Sequence, residues 1–260
     1  MSQLYPRRTL TQPFEHITGC RSAQIEVVVR CIASQVRGRG RPPKHSLRIQ
    51  AIATLLKLRL NLTVRAIAAL TGMPVATTAR AIHRVVRCLA DAGFGQPSAQ
   101  MLIVETTSVR IGSSELKGYS GHKHHRCAKV QVVATANGAI VDVSDSYPGS
   151  VHDKRLWDAE ASRFALGDAV VLGDKAYAGG HGEGVTLFRP TKRNESAYHS
   201  DKHAAKERNR QISRVRVRIE HVFARLKCWR VIAGIFPYHW SNLGIVVKAL
   251  AVLHNLAREI

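Results

Sequence analysis

The hydrophobic pattern of the chain changes character at residues 93–99. Before this point, apolar residues recur at helical spacing in two segments, 14–34 and 46–92, which predict helices. After it, three β-rich runs follow one another, and the pair Asn137-Gly138 separates the second run from the third. Asn-Gly between such runs is a strong signal for a hairpin. The order of elements therefore predicts two domains of different class, an all-helical one followed by one that combines strands and helices.

Two segments rich in helix-breaking residues predict the domain boundaries. Residues 35–45 (QVRGRGRPPKH) form a Gly/Pro/Arg-rich linker that cannot continue a helix, and residues 93–99 (GFGQPSA) form a second break. We therefore predict three parts: an N-terminal helix with its basic linker at 1–45, a helical domain at 46–97 and the α/β domain at 98–260.

The charge of the chain points to a polyanionic partner. Thirty-nine Lys and Arg against 18 Asp and Glu give a formal net charge of +21, while 45% hydrophobic residues indicate a folded protein. The longest apolar stretch is broken by Lys248 and is far shorter than the ~20 residues of a membrane-spanning helix. The N-terminus shows no signal peptide, and five scattered cysteines form no CxxC pair. These features predict a cytoplasmic protein that binds nucleic acid and not a membrane.

Within the helical domain, residues 63–86 have the pattern of a helix-turn-helix. Thr63 can cap a short helix, Gly72 can adopt the left-handed conformation of the turn, and Pro74 suits the first turn of the next helix. The second helix would leave four side chains available for the major groove and its phosphates, namely Thr77, Thr78, Arg80 and Arg84. An ordinary helical hairpin is the alternative interpretation.

The linker contains Arg39-Gly40-Arg41-Pro42, which has the pattern of an arginine hook for the minor groove. Arginines that flank a glycine allow an extended backbone to lie in a narrow A·T groove, where the potential is most negative. A solvated basic linker explains Arg39 and Arg41 equally well.

Three carboxylates occupy positions that suit the cleavage of a phosphodiester. Glu105 lies inside the first strand, Asp174 ends a buried strand, and Glu220 lies beside the apolar stripe of a long C-terminal helix. A two-metal mechanism needs carboxylates that hold two divalent ions ~4 Å apart. Each acid taken alone is more often solvated or engaged in a salt bridge. Their joint placement predicts a catalytic site.

Basic residues near these acids are predicted to contact DNA. Arg216 and Lys227 share the row of Glu220 on the helix, so we expect them near the cleaved bond. Lys123 belongs to a His-rich basic loop whose spacing fits no common zinc pattern and which we expect to lie against DNA. Other arginines of the long helix are predicted to grip phosphates, namely Arg208, Arg210, Arg214, Arg218 and Arg225.

Five motifs occur in the order found in one family. They are VETT at 104–107, KGYSGHKH at 117–124, PGSVHD at 148–153, LGDKAY at 172–177, and RVRIE at 216–220 followed by Lys227. From about residue 101 to residue 256 the chain resembles the DDE transposases of bacterial insertion sequences, in the insertion-sequence-five and Harbinger-like branch. Ser213 stands where that family usually has a tyrosine, and Glu105 stands where it has an aspartate followed by Gly-Thr.

The resemblance implies an α/β, RNase H-like catalytic fold with a mixed sheet flanked by helices, preceded by the all-α helix-turn-helix domain. It places Asp174 and Glu220 as the second and third metal ligands, with Glu105 in the first position. It further implies Mg²⁺ as cofactor, with Mn²⁺ able to substitute. The extra methylene of Glu105 moves the carboxylate by ~1.5 Å, and a misplacement of ~1 Å can cost ~100-fold in rate. An active variant, a decayed or repurposed copy and a deliberate substitution are all compatible with the sequence.

The expected function is that of a bacterial, nucleoid-associated transposase. It would bind terminal inverted repeats, cleave the strands and transfer them to a target. Its partners would be double-stranded DNA, as transposon ends and target, and further copies of itself in a homodimer or higher oligomer. Two alternatives stay open: an impaired or repurposed transposase that acts as a sequence-specific DNA-binding protein, and a structure-specific nuclease without strand transfer.

Overall fold

The computed structural model describes seven segments of the chain, residues 12–35, 44–94, 101–112, 119–121, 123–160, 169–177 and 186–259. The first two segments are helical, as the sequence predicts. They contain α1 (Gln12–Thr18), α2 (Ser22–Gln35), α3 (Leu47–Leu60), α4 (Val64–Thr71) and α5 (Val75–Asp91). The linker residues Arg39 and Arg41 lie outside the described residues.

Side-chain caps and left-handed residues set the limits of α3 and α4. Ser46 accepts a hydrogen bond from the Ile49 amide at the start of α3, and left-handed Asn61 ends that helix. The Thr63 hydroxyl accepts from the Ala66 amide at 3.2 Å, which caps α4 as the sequence predicts. Gly72, with φ at 69°, forms the turn into α5. Two helices joined by a tight turn are therefore present at the predicted positions.

The second half of the chain builds a mixed sheet. Its strands are β1 (Met101–Arg110), β2 (Tyr119–Ser120), β3 (His125–Thr135), β4 (Ile140–Val143), β5 (Tyr147–Pro148), β6 (Val170–Leu172) and β7 (Thr186–Phe188). The main order is β2-β3-β1-β6-β7, and β4 and β5 also pair with β3. β1 and β3 are antiparallel, whereas β6 is parallel to β1 and β7 is parallel to β6. The α/β class of this region is confirmed, and so is the hairpin at Asn137-Gly138.

Helices cover both faces of this sheet. They are α6 (Asp153–Glu160), α7 (Ser196–Ser200), α8 (Lys202–Leu226), α9 (Arg230–Ala233) and α10 (Leu243–Glu259). On one face Ile103 of β1 belongs to the same buried cluster as Ile219 of α8. On the other face Val104 packs with Trp157 of α6 and with Tyr177. Successive residues of β1 thus point to opposite layers, which sets the direction of each polar side chain on that strand.

The core of the sheet is continuous with that of the helical region. The last helix, α10, packs against β4 on one side and against α5 on the other. One buried cluster contains Leu56 and Val85 from the helices and Val132 and Leu250 from the second half. The division at residue 97 stays a prediction, since 95–100 are not among the described residues. None of the helices in the described segments is long and apolar enough to cross a membrane.

Candidate active site

The pairing of β1 with β6 brings two of the predicted acids together. Met101 lies beside Val170 and Ile103 beside Leu172 in the parallel register. The last paired residues, Ile103 and Leu172, lie two residues before Glu105 and Asp174, so the two acids follow at the same end of this strand pair. The turn after β6 holds the Asp174 side chain, whose Oδ1 accepts a hydrogen bond from the Ala176 amide at 2.6 Å.

The third acid comes from α8, which packs on the face of β1 that carries Ile103 and Glu105. Glu220 is exposed on this helix. All three predicted carboxylates, Glu105, Asp174 and Glu220, line one cavity of about 490 Å³. The tertiary structure therefore brings together three acids that are separated by 115 residues in the sequence.

Burial and neighbouring charges shift the pKa of Glu105. Its side chain is only 14% exposed and forms an ion pair with the Arg216 guanidinium. The pKa of Glu105 is raised to about 7 as the net result: loss of solvation is the largest cause and the charges of Asp174 and Glu220 act in the same direction, while Arg216 and the Thr106 amide oppose them. A carboxylate in a desolvated place, near two other carboxylates, holds its charge only with the help of a cation.

The donors of the cavity suit a divalent cation in type. Mg²⁺ prefers carboxylate oxygens, and repulsion among the three acids is what a bound cation would relieve. Within the described segments, however, no group of three His, Cys, Asp or Glu is gathered closely enough to hold a metal ion. Arg216 instead supplies the positive charge beside Glu105. The carboxylates therefore fit a divalent metal in ligand type, and binding one would require shorter distances between them.

Three lysines contribute positive charge to the cavity. Lys123 and Lys227, both predicted from the sequence, line it with exposed side chains. Lys129 of β3 lines it as well, and its ammonium donates to Asp153 Oδ1 at 2.9 Å and to the Val151 carbonyl at 3.0 Å. Lys129 is not among the residues predicted from the sequence, although a lone cation inside the apolar run 127–135 is a usable signal. Asp153 is therefore an ion-pair partner in addition to opening α6.

A buried tyrosine links the strand of Glu105 to the turn of Asp174. The Tyr177 hydroxyl forms a hydrogen bond of 3.0 Å with the Thr106 hydroxyl and accepts one of 3.1 Å from Gln131 Nε2. Its ring packs edge-on against Trp157, with 6.4 Å between centroids. Tyr177 follows Asp174 by three residues, so these contacts fix the position of Asp174 relative to β1. In the sequence, Tyr177 stands out only as the last residue of the LGDKAY motif.

The residues of α5 and α8 that were predicted to contact DNA differ in exposure and in the direction of their side chains. Arg214 is exposed on a different face of α8 from Glu220, whereas Arg216 turns inward to Glu105. On α5, Thr77 is half-buried and Arg80 is exposed. Arg84 is exposed too, and its guanidinium donates to the Gln50 side chain.

The assignment of Thr78 to the DNA-facing surface is wrong. Its side chain is fully buried, and its hydroxyl donates to the Pro74 carbonyl at 3.0 Å. Thr78 precedes Ile82 by four residues and Val85 by seven, so it lies on the buried stripe of α5. Sequence reasoning treated it as a polar surface residue, but the hydroxyl satisfies a carbonyl of its own first helical turn.

A cavity that combines the three predicted carboxylates and Asp153 with three lysines is suited to chemistry on a polyanion, and comparison with known proteins identifies the class. Residues 103–255 match the family described as DDE superfamily endonuclease. Since the match covers more than half of the chain, the protein belongs to this family. Its members generally use divalent metals. The resemblance to DDE transposases is confirmed, while the Harbinger-like branch stays a prediction.

Two curated relatives extend over nearly the whole chain. The "Putative transposase for insertion sequence element IS112" of Streptomyces albus G is 26% identical, over 94% of this chain and 93% of the relative. The "Probable transposase for insertion sequence element IS702" of Microchaete diplosiphon is 22% identical, over 88% and 87% respectively. Among solved structures, the "Mos1 transposase paired-end complex with left transposon end" aligns over 94% of each chain at 11% identity. Its TM-score of 0.23 is too low to support an argument.

Proposed function

We propose that this protein is a DNA transposase that binds terminal inverted repeats, cleaves DNA with Mg²⁺ or Mn²⁺ and transfers the cut strand to a target. One observation carries the proposal: Glu105, Asp174 and Glu220 line the same cavity in a chain of the DDE endonuclease family. The names of the two relatives support the same function.

The sheet supports an RNase H-like fold for the catalytic domain. An antiparallel meander, β1 with β3 and β4, is extended by the parallel strands β6 and β7, and acids lie on the central β1 and just after β6. Ligands of open α/β sheets bind at the carboxyl ends of strands, where Asp174 lies.

The three carboxylates would hold the divalent ions, which activate the attacking water or 3′-hydroxyl and stabilise the leaving oxygen. Other side chains would bind the DNA and support the cavity. Lys123 and Lys227, exposed at the cavity, would contact the phosphates that flank the cleaved bond and orient the strand. The ion pair of Lys129 with Asp153 would hold one wall of the cavity in place.

Arg216 has two roles in this proposal. Without metal it neutralises Glu105, which would otherwise be a buried carboxylate without a cation. Its second role would be to contact a phosphate near the cut, which is the role expected from the sequence. Arginine suits both partners because its planar fork binds carboxylate and phosphate alike.

The pair α4 and α5 would dock on the transposon end as a helix-turn-helix. Thr77, Arg80 and Arg84 would face the major groove and its phosphates, and Arg39 and Arg41 would enter the minor groove. Arg80→Gln should weaken binding to any duplex and lower the salt dependence of affinity, since a phosphate contact is lost. Transposition joins two ends, so we expect a dimer or higher oligomer on DNA, in the bacterial cytoplasm and at the nucleoid.

The test is cleavage of labelled transposon-end DNA with Mg²⁺ or Mn²⁺, by the natural chain and by Glu105→Asp. Asp174→Ala and Glu220→Ala should abolish cleavage. The matched control Glu207→Ala removes an acid of the same helix whose partner is Arg210 and should leave cleavage intact. Joined products in the same reaction would exclude a nuclease without strand transfer. If neither the natural chain nor Glu105→Asp nicks DNA, the enzymatic proposal fails; the comparisons do not favour the non-catalytic alternative that would then remain.

A further inference from the structure

A second, smaller pocket is lined by basic side chains and lies outside the cleavage cavity. Its volume is about 60 Å³, and its lining includes Arg218, His221, Arg225, His254 and Arg258. None of the described residues that line it is an acid. Three arginines therefore border a small space whose described lining contains no carboxylate.

The tip of the β3–β4 hairpin forms the floor of this pocket. Arg258, near the end of α10, donates to the Asn137 carbonyl at 2.6 Å. Gly138 has a φ of 87°, and a Cβ at this position would lie 3.3 Å from Arg258 Nη1. A glycine therefore allows the guanidinium to lie directly against the turn. The Asn-Gly pair therefore both reverses the chain and positions the Arg258 side chain.

The histidine behind the arginines is already held in its neutral form. His254 is 6% exposed, and its Nε2–H donates to the Gly138 carbonyl at 3.0 Å. Burial lowers the pKa of His254, the hydrogen bond to Gly138 partly opposes this, and the cations of Arg258 and Arg225 lower the pKa further. The arginine charges that disfavour a further positive charge at His254 would attract an anion.

The position of the pocket on α8 separates it from the catalytic acids. Arg218 is two residues from Glu220, and two residues correspond to about 200° around a helix, so the two side chains leave opposite sides. Arg214, one turn before Arg218, is exposed and extends the same basic face. A helix about 10 Å wide thus lies between this face and the cavity that contains Glu220.

We propose that this pocket binds a backbone phosphate of a DNA segment other than the one in the cleavage cavity. The choice of DNA as the anion rests on the proposed function. The guanidinium groups provide planar, charge-assisted donors, which suit a phosphodiester. Arg214 and Arg218 would follow the same strand, because exposed arginines one helical turn apart can reach neighbouring phosphates.

The experiment measures the affinity of the full chain for a labelled duplex as a function of salt concentration, without divalent metal. Arg218→Gln and Arg225→Gln should each weaken binding about tenfold at low salt. Each should also lower the slope of log affinity against log salt by about 1. The matched control Arg30→Gln removes the same charge from the exposed face of α2 and should leave the slope unchanged.

The outcomes separate this site from the catalytic one. An unchanged slope in both variants would overturn the proposal. Stabilisation by inorganic phosphate that disappears in Arg218→Gln, with no change in the duplex slope, would assign the pocket to a free anion and overturn it too. Because this assay needs no cleavage, the site can be confirmed by the slopes even if the natural chain fails to cut DNA. If the natural chain cuts DNA but neither variant changes the slope, the phosphate site is ruled out and the proposed function stands.

Discussion

Arg216 of α8 forms an ion pair with Glu105 of β1, and the two side chains are only 18% and 14% exposed. The pair joins the two elements that carry the first and third predicted metal ligands. Arg216 Nε is buried without a hydrogen-bond partner among the described residues, so the guanidinium is engaged through one end only. The contact therefore supplies the cation that Glu105 needs in the metal-free site and leaves the buried Nε donor of Arg216 unsatisfied.

Removing Arg216 should destabilise the metal-free protein. Arg216→Ala leaves Glu105 in a desolvated place without its cation, and we expect a loss of about 2–3 kcal/mol in the free energy of unfolding, measured with denaturant in the presence of a chelator. The double variant Arg216→Ala/Glu105→Gln should recover most of this loss, because no buried charge is left unpaired. Arg214→Ala, an exposed neighbour, should change stability by less than about 0.5 kcal/mol. Equal losses at both arginines would contradict the ion pair.

The hydroxyl of Tyr177 should contribute to stability through its two partners. Tyr177→Phe leaves the Thr106 hydroxyl and the Gln131 amide unsatisfied beneath β1, at a cost of about 1–3 kcal/mol in unfolding experiments. Tyr119→Phe is the matched control, since Tyr119 is 56% exposed. If Tyr177→Phe is as stable as the natural chain, the network does not hold Asp174 against the sheet.

Gly244 should be required for the docking of α10. A Cβ at this position would lie 3.0 Å from the Ser144 carbonyl oxygen and 3.2 Å from the Ser146 nitrogen, and both are backbone atoms. Gly244→Ala should therefore lower the melting temperature, by an amount that corresponds to about 1–3 kcal/mol, despite the better helix propensity of alanine. Gly112→Ala should be tolerated better, since its Cβ would meet only the Ile235 side chain at 3.4 Å. A more stable Gly244→Ala protein would show that the helix can shift without penalty.

His254 should make the fold sensitive to acid. Its pKa is lower in the folded protein than the ordinary value of 6.5, mainly because of burial. The unfolded chain therefore binds the proton more readily, and stability is lost as the pH falls below 6.5. In phosphate-free buffer His254→Gln should lose less stability than the natural chain between neutral pH and about pH 5. The exposed His203→Gln should follow the natural profile, and identical profiles for all three proteins would refute the prediction.

Much of the local structure could be predicted because its causes lie within a few residues. The Thr63 cap, the Gly72 turn and the Asn137-Gly138 hairpin depend on neighbouring backbone groups, and all three are present. Glu105, Asp174 and Glu220 were found from their places on predicted elements and from a family resemblance. Thr78 was misassigned because its polarity suggested the surface, whereas its position in the helical period decides burial.

The sequence by itself determined the basic charge, the helical and strand-rich halves, the family and the identity of three catalytic candidates. Only the tertiary structure decided that these acids share a cavity, that Arg216 pairs with Glu105, that Lys129 reaches Asp153, and that Arg218, Arg225 and Arg258 converge on the other side of α8. The physical reason is the distance along the chain between the residues that interact. Caps and turns arise from contacts between near neighbours in the chain, whereas a shared cavity depends on the register of β1 with β6 and on the rotation of α8 against the sheet. Both are set by the packing of the whole core.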